Sequence, residues 1–270
     1  MNLAGAPLLQ TEYFLTCRII QRLMQKKYFL IFLLLISIQP MNSFAQLTVT
    51  FPSLDSLLIT GDWYPVENDL PVVLLCHQNR FSRGEYNESA VKLNKFGFNC
   101  LAIDLRVGDE INGVKNETAA RAQEKNQRPV FADAEQDILA AIDFLYGKYH
   151  KKIILMGSSY SASLVLKIAT DNAKVLAVIA FSPGEYFTDK KFVSKNIRTL
   201  SKPVFITSSK EEADGVTDLM KNVMSRIKVQ YIPKSNGVHG SKTLWNENPD
   251  HNEYWVALMS FLNRIKKISN

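Results

Sequence analysis

The stretch Lys152-Ile153-Ile154-Leu155-Met156-Gly157-Ser158-Ser159-Tyr160-Ser161-Ala162-Ser163-Leu164-Val165-Leu166 decides how the rest of the chain is read. An apolar strand runs into Gly157, Ser159 follows two residues later, and small residues open an apolar helix. That order is a nucleophile elbow, whose usual form is Gly-x-Ser-x-Gly. The turn holds its serine in a strained backbone and the helix starts close against the strand, so small neighbours are needed. Gly157 supplies one; Ser161 stands where the second glycine is usual. The helix points its first amides at any negative charge that develops on Ser159.

Outward from the elbow, apolar segments alternate with helical ones. Leu47–Phe51 and Leu57–Thr60 read as a leading antiparallel hairpin. Pro71–Cys76, Asn99–Asp104, Val175–Phe181, Pro203–Thr207 and Val229–Ile232 read as strands, several of them continuous apolar runs buried on both faces. Helical patterns fall over 85–96, 132–149, 161–169, 213–226 and 252–267. The polar stretch from Leu105 to Arg128 reads as a long surface loop with a turn or two of helix, solvated through Asp109, Glu110, Lys115, Glu117 and Arg121. The expected architecture is α/β, a mainly parallel sheet with helices on both faces.

The N-terminus reads as a leader. Met24-Gln25-Lys26-Lys27 is a basic start, Tyr28–Ile38 is an apolar run of 11 residues, and Ser43-Phe44-Ala45 is a small-x-small cleavage site. The run is shorter than the ~20 residues a membrane span needs. Export with cleavage after Ala45 is therefore expected, to the periplasm or outside, with no stable membrane anchor. Residues 1–23 read as a misassigned gene start, 24–45 as the signal peptide and 46–270 as one domain. Residues 1–45 hold Arg18, Arg22, Lys26, Lys27 and Glu12. Of the chain's 32 basic and 26 acidic residues, 28 and 25 thus lie beyond position 45. With no basic run, nothing argues for nucleic acid. Cys76 and Cys100 fall at opposite ends of their strands and are expected to stay free thiols, too far apart to pair. Asn87-Glu88-Ser89 and Asn116-Glu117-Thr118 match glycosylation acceptors and imply surface exposure.

A nucleophilic serine needs a base, an acid that orients it and donors for the oxyanion. On an elbow the chain order is nucleophile, acid, histidine. His239, between Gly237 and Gly240 just past Val229–Ile232, is the candidate base; His77, ending a buried strand, reads as a structural residue. The acid is sought after Val204–Thr207. Glu212 is preferred, Glu211 and Asp214 remain open, and Glu185 is the next candidate beyond them. Oxyanion donors are expected from the amide of Tyr160 and from that of Gln78 or Asn79. No metal or cofactor is called for.

These segments resemble the α/β-hydrolase superfamily: Leu74-Leu75-Cys76-His77-Gln78, Asp104-Leu105-Arg106, Gly157-x-Ser159-x-Ser161, Pro203-Val204-Phe205-Ile206 with acids after it, and His239-Gly240. Within it the chain resembles the compact, dienelactone-hydrolase-like members, since only 18 residues separate Gly184 from Pro203, leaving no room for a large cap. The resemblance implies a sheet of eight strands and a Ser-His-acid triad acting on a small ester or acyl substrate. Dienelactone hydrolases proper use a cysteine nucleophile, whereas this chain has Ser159. Ser161, the missing glycine after His77 and the glutamate pair are further departures. The expected activity is carboxylesterase-like; a peptidase with the same triad, or a binding module that has lost catalysis, are the alternatives.

Overall fold

The computed structural model describes residues 46–269. The leader, its cleavage site and the extension before it lie outside the described residues. One sheet of eight strands forms the frame: β1 (Leu47–Pro52), β2 (Leu58–Tyr64), β3 (Val72–Cys76), β4 (Asn99–Ile103), β7 (Ile153–Ser158), β8 (Val175–Phe181), β9 (Val204–Thr207) and β10 (Lys228–Tyr231). Its order is β1-β2-β4-β3-β7-β8-β9-β10. Pairing is antiparallel for β1 with β2 and β2 with β4, and parallel from β4 onward. β5 (Glu110–Ile111) and β6 (Val114–Lys115) form a separate small hairpin. The helices are α1 (Asn87–Lys95), α2 (Glu117–Glu124), α3 (Glu135–Tyr149), α4 (Tyr160–Asp171), α5 (Phe192–Asn196), α6 (Ala213–Met220) and α7 (His251–Ser269).

The continuous apolar strands are explained by two cores, one on each face. Val72, Leu74 and Cys76 of β3 point into one with α3 and α4, while Val73 and Leu75 point into the other with α1 and α7. β7 divides likewise, Ile153 and Leu155 against Ile154 and Met156. A strand between two apolar layers has no position for a polar side chain, hence the loss of period-two alternation. The same geometry settles the thiols. Cys100 sits opposite Val73, three residues from Cys76, and the two belong to opposite cores; both are free and buried.

Two expectations need correction. The helix over 213–226 stops at Met220, and the stretch up to Arg226 is not helical. Asn116 is not a surface acceptor. It is 5% exposed, its Oδ1 caps α2 by accepting from the Ala119 amide at 2.8 Å, and its Nδ2 donates to the Leu105 carbonyl at 2.9 Å. Asn87 is half-buried. The polar stretch also holds more order than a loop. Asp109, Glu110, Lys115 and Glu117 are exposed, but Asn116, Thr118 and Ala122 turn inward. Arg83 pins the stretch by bonding Asp62 at 2.9 Å, Asp104 at 2.6 Å and the Lys115 carbonyl at 2.9 Å.

Candidate active site

β7 ends against α4 in the conformation the elbow demands. Ser159 has φ 60° and ψ −123°, a region that costs a non-glycine residue roughly 1–3 kcal/mol and needs bracing. Its amide donates to the Phe181 carbonyl at 2.8 Å. Gly157 permits the close helix start: a Cβ there would meet the Ser161 carbonyl oxygen at 2.6 Å and the Ala162 Cα at 2.7 Å, backbone atoms that cannot move aside. Ser161 does not crowd the turn. Its side chain is buried beneath it, accepting from the Ser158 amide at 2.9 Å and donating to the Cys76 carbonyl at 2.7 Å. A hydroxyl thus supplies bonds where a glycine would supply only space. Ser159 itself is 8% exposed.

His239 follows β10 and has a 40% exposed side chain. Its Nδ1 meets Glu212 Oε1 in a short hydrogen bond. The other Glu212 oxygen accepts from the Ser182 hydroxyl at 2.7 Å, the Ser209 hydroxyl at 3.0 Å and the Ser209 amide at 3.2 Å. Burial opposes ionisation of this carboxyl, but the bonds from His239, Ser182 and Ser209 outweigh it and hold it down at about 2. Glu211 and Asp214 are exposed, and Asp214 sits in the first turn of α6 where the helix dipole favours an acid. Glu185 caps α5, its two oxygens accepting from the Val193 and Ser194 amides at 2.7 and 2.8 Å. Of the four candidate acids, therefore, Glu212 is the one bonded to the imidazole.

Three residues here escaped the sequence reading. Ser182, with φ 51° at the end of β8, donates to Glu212 and accepts from the Gly240 amide at 2.9 Å, binding the acid to the histidine loop. Tyr186 donates to the Ser182 carbonyl at 2.8 Å and meets the His239 ring edge-on at 6.5 Å between centroids. Burial, then the Glu212 charge, pushes its hydroxyl up to about 12. The third is Glu85, discussed below. Only Ser182 left a trace in the sequence, as the small polar residue closing the run Val175–Phe181 before Pro183-Gly184.

In the loop after β3 the two candidate oxyanion amides differ in their hydrogen bonding. The Gln78 amide donates to Glu85 Oε2 at 2.7 Å and is occupied, whereas the Asn79 amide has no acceptor among the described residues. The Tyr160 amide opens α4. His77 is fully buried, with Nδ1 on the Gln78 carbonyl at 2.7 Å and Nε2 accepting from the Leu105 amide at 2.9 Å. Beside Tyr186 opens a largely apolar cavity of about 460 Å³, with Val107, Phe131, Phe187 and Phe192 in its wall. Phe131 stacks on Tyr160 at 4.4 Å, and the Tyr160 hydroxyl donates to the Val107 carbonyl at 3.0 Å, so the cavity wall is braced on the residue after the elbow serine. Among the described residues no three or more His, Cys, Asp or Glu side chains gather as a metal site, and no helix is long and apolar enough to cross a membrane.

A mainly parallel sheet of eight strands, antiparallel at its leading edge and carrying a strained serine between strand and helix, is an α/β-hydrolase fold. The family model of the dienelactone hydrolase family matches residues 57–234, and the chain belongs to that family. Among solved structures it is similar to an esterase of Pyrococcus furiosus, with 18% identity, TM-score 0.65, and 82% of this chain and 93% of that one covered. A dienelactone hydrolase of Anabaena variabilis has 16% identity and TM-score 0.62, covering 80% and 95%. An acylaminoacyl peptidase of Pyrococcus horikoshii has 14% identity and TM-score 0.62, covering 85% of this chain and 43% of that one. No curated protein matches the chain. Membership of that family makes the chain a hydrolase, and the neighbours share its fold.

Proposed function

We propose that the chain is an exported serine hydrolase that cleaves ester-like bonds through an acyl-enzyme on Ser159. The observation that carries the reading is the Glu212–His239 pair at the sheet edge, on a loop tied to the elbow by the Ser241 amide, which donates to Ser158 Oγ at 2.9 Å beside the strained Ser159. His239 Nε2 takes the hydroxyl proton as Ser159 Oγ attacks the carbonyl carbon. The amides of Tyr160 and Asn79 hold the oxyanion. The tetrahedral adduct collapses, the C–O bond to the leaving group breaks, and His239 returns the proton to the departing alcohol. Water then attacks the acyl-enzyme, His239 accepts its proton, and Ser159 regains one as the acid leaves. Glu212 orients the imidazole through Nδ1 and stabilises its charge.

The apolar cavity beside Tyr186 suits the hydrocarbon part of an ester. Export rests on the leader pattern over 24–45. A fluorophosphonate probe tests the serine: wild type should be labelled and Ser159→Ala should not. No labelling of wild type would favour the binding module. A panel of p-nitrophenyl esters should be turned over faster than aminoacyl anilides; the reverse order would favour a peptidase. N-terminal sequencing of the exported protein should begin at Gln46, and an earlier start overturns the cleavage assignment.

A further inference from the structure

Glu85 is a buried acid that this chemistry does not use. It stands in the 3₁₀ turn Arg83–Tyr86 and is 0% exposed. Its Oε2 accepts from the Gln78 amide at 2.7 Å and its Oε1 from the Ser241 hydroxyl at 2.5 Å. The Ser241 amide donates to Ser158 Oγ at 2.9 Å, and that hydroxyl donates to Gln78 Oε1 at 3.3 Å. The four residues close a ring of hydrogen bonds. Each of the other three adjoins a proposed site residue: Gln78 precedes Asn79, Ser158 precedes Ser159, and Ser241 is two residues past His239. Gly240 leaves the ring no slack, since a Cβ there would meet Gln78 Oε1 at 2.2 Å and Ser158 Oγ at 2.7 Å.

A core gains more stability from an apolar side chain than from an acid, because desolvating a carboxyl is costly unless every bond is made. What the acid supplies instead is geometry. Resting on the serine-hydrolase reading, we propose that Glu85 is a positioning residue that locks the oxyanion loop, the elbow and the histidine loop at one mutual spacing. The ring tolerates either state of the acid. As a carboxylate it accepts two bonds; once protonated it donates to Ser241 Oγ, whose hydroxyl turns. Burial pushes the carboxyl up to about 7, against the lowering effect of its bonds and of His239. The other titratable groups facing it are Cys76, Tyr86 and Tyr160, each held neutral by burial.

Because the ring acts on groups that engage the transition state, its loss should appear in kcat and spare KM. The test compares Glu85→Ala, Glu85→Gln and Ser241→Ala with wild type and Ser159→Ala, on one p-nitrophenyl ester and by fluorophosphonate labelling rate. Glu85→Ala should lower kcat at least ~10-fold with KM within ~3-fold, and labelling should slow in step. Glu85→Gln accepts from Gln78 and donates to Ser241, so it should restore both to within ~3-fold of wild type. The double variant Glu85→Ala/Ser241→Ala should be no worse than Glu85→Ala alone, the mark of one network. Glu85→Ala equal to wild type, or Glu85→Gln as slow as Glu85→Ala, overturns the proposal. Should Glu85→Ala not fold, Ser241→Ala decides: a kcat at least ~5-fold down at unchanged KM supports the ring, and wild-type kcat overturns it. If Ser159→Ala is as active as wild type, or wild type is neither active nor labelled, the serine reading fails and this inference falls with it. If Ser159→Ala alone is inactive and the ring variants are normal, only the ring is refuted.

Discussion

Two histidines end up near the same sheet edge, and they differ in every property that decides chemistry. His77 closes β3, is 0% exposed, and has both ring nitrogens engaged by backbone groups. The pattern fits only a neutral ring with its proton on Nδ1, and burial pushes its pKa down to about 4. Its neighbour packs closely: a Cβ on Gly108 would meet its Cε1 at 2.7 Å. His239 lies past β10 with a 40% exposed side chain and spends Nδ1 on a carboxylate, while its Nε2 has no hydrogen-bond partner among the described residues. A base needs a nitrogen free to exchange a proton and a partner that welcomes the imidazolium. Only the second histidine has both.

The sharpest way to break this contrast is to exchange the fates of the two rings. His239→Gln should lower kcat on an ester at least ~1,000-fold while leaving the free energy of unfolding within ~1 kcal/mol of wild type. If turnover persists, His239 is not the base. Glu212→Gln should lower kcat by ~100- to 10,000-fold, since an amide partner no longer stabilises the imidazolium. Glu211→Gln and Asp214→Asn should stay within ~2-fold of wild type. Equal losses for all three would deny Glu212 its special place.

His77→Ala should show the opposite signature. It strands the Leu105 amide, leaves the Gln78 carbonyl only its longer bond from the Phe81 amide, and opens a cavity, a loss of about 3–5 kcal/mol readable in urea melts. A variant as stable as wild type would mean that the ring is not structural.

Glu85 adds a stability prediction with a definite sign. Its folded pKa, about 7, lies above the ordinary carboxylate value of 4.5. Its contribution is therefore fully present below about pH 4.5, declines as pH rises through 7 and then levels off, a change on the order of 3 kcal/mol. Glu85→Gln should lack that decline, so the difference between the two proteins' stabilities should change across this window. A constant difference would place the pKa near its ordinary value. The smallest expected effect is that of Ser161→Gly. Restoring the usual elbow glycine removes the acceptor of the Ser158 amide and should cost about 1–2 kcal/mol, a melting point lowered by a few degrees. A raised melting point would show that the hydroxyl is tolerated and not used.

Much of this was written locally. A strand buried on both faces shows as an unbroken apolar run, and an elbow shows as small residues between strand and helix, because both constraints act on neighbours in the chain. So the sheet, the elbow serine and the free thiols were legible from Val72–Cys76, Gly157–Ala162 and the offset of Cys76 from Cys100. Glu212 was singled out by position among three acids, but nothing local distinguishes an acid that turns toward an imidazole from one that faces solvent. Asn116 looked like a surface acceptor because a cap and a buried donor have the same side chain. That the Gln78 amide is already occupied depends on Glu85, seven residues beyond it, which in turn accepts from Ser241, 156 residues beyond Glu85. The amino-acid sequence by itself determined which elements form and which residue types reach the sheet edge. The tertiary structure alone decided which polar atoms there are already satisfied, because hydrogen-bond partners distant in the chain meet only once it is folded.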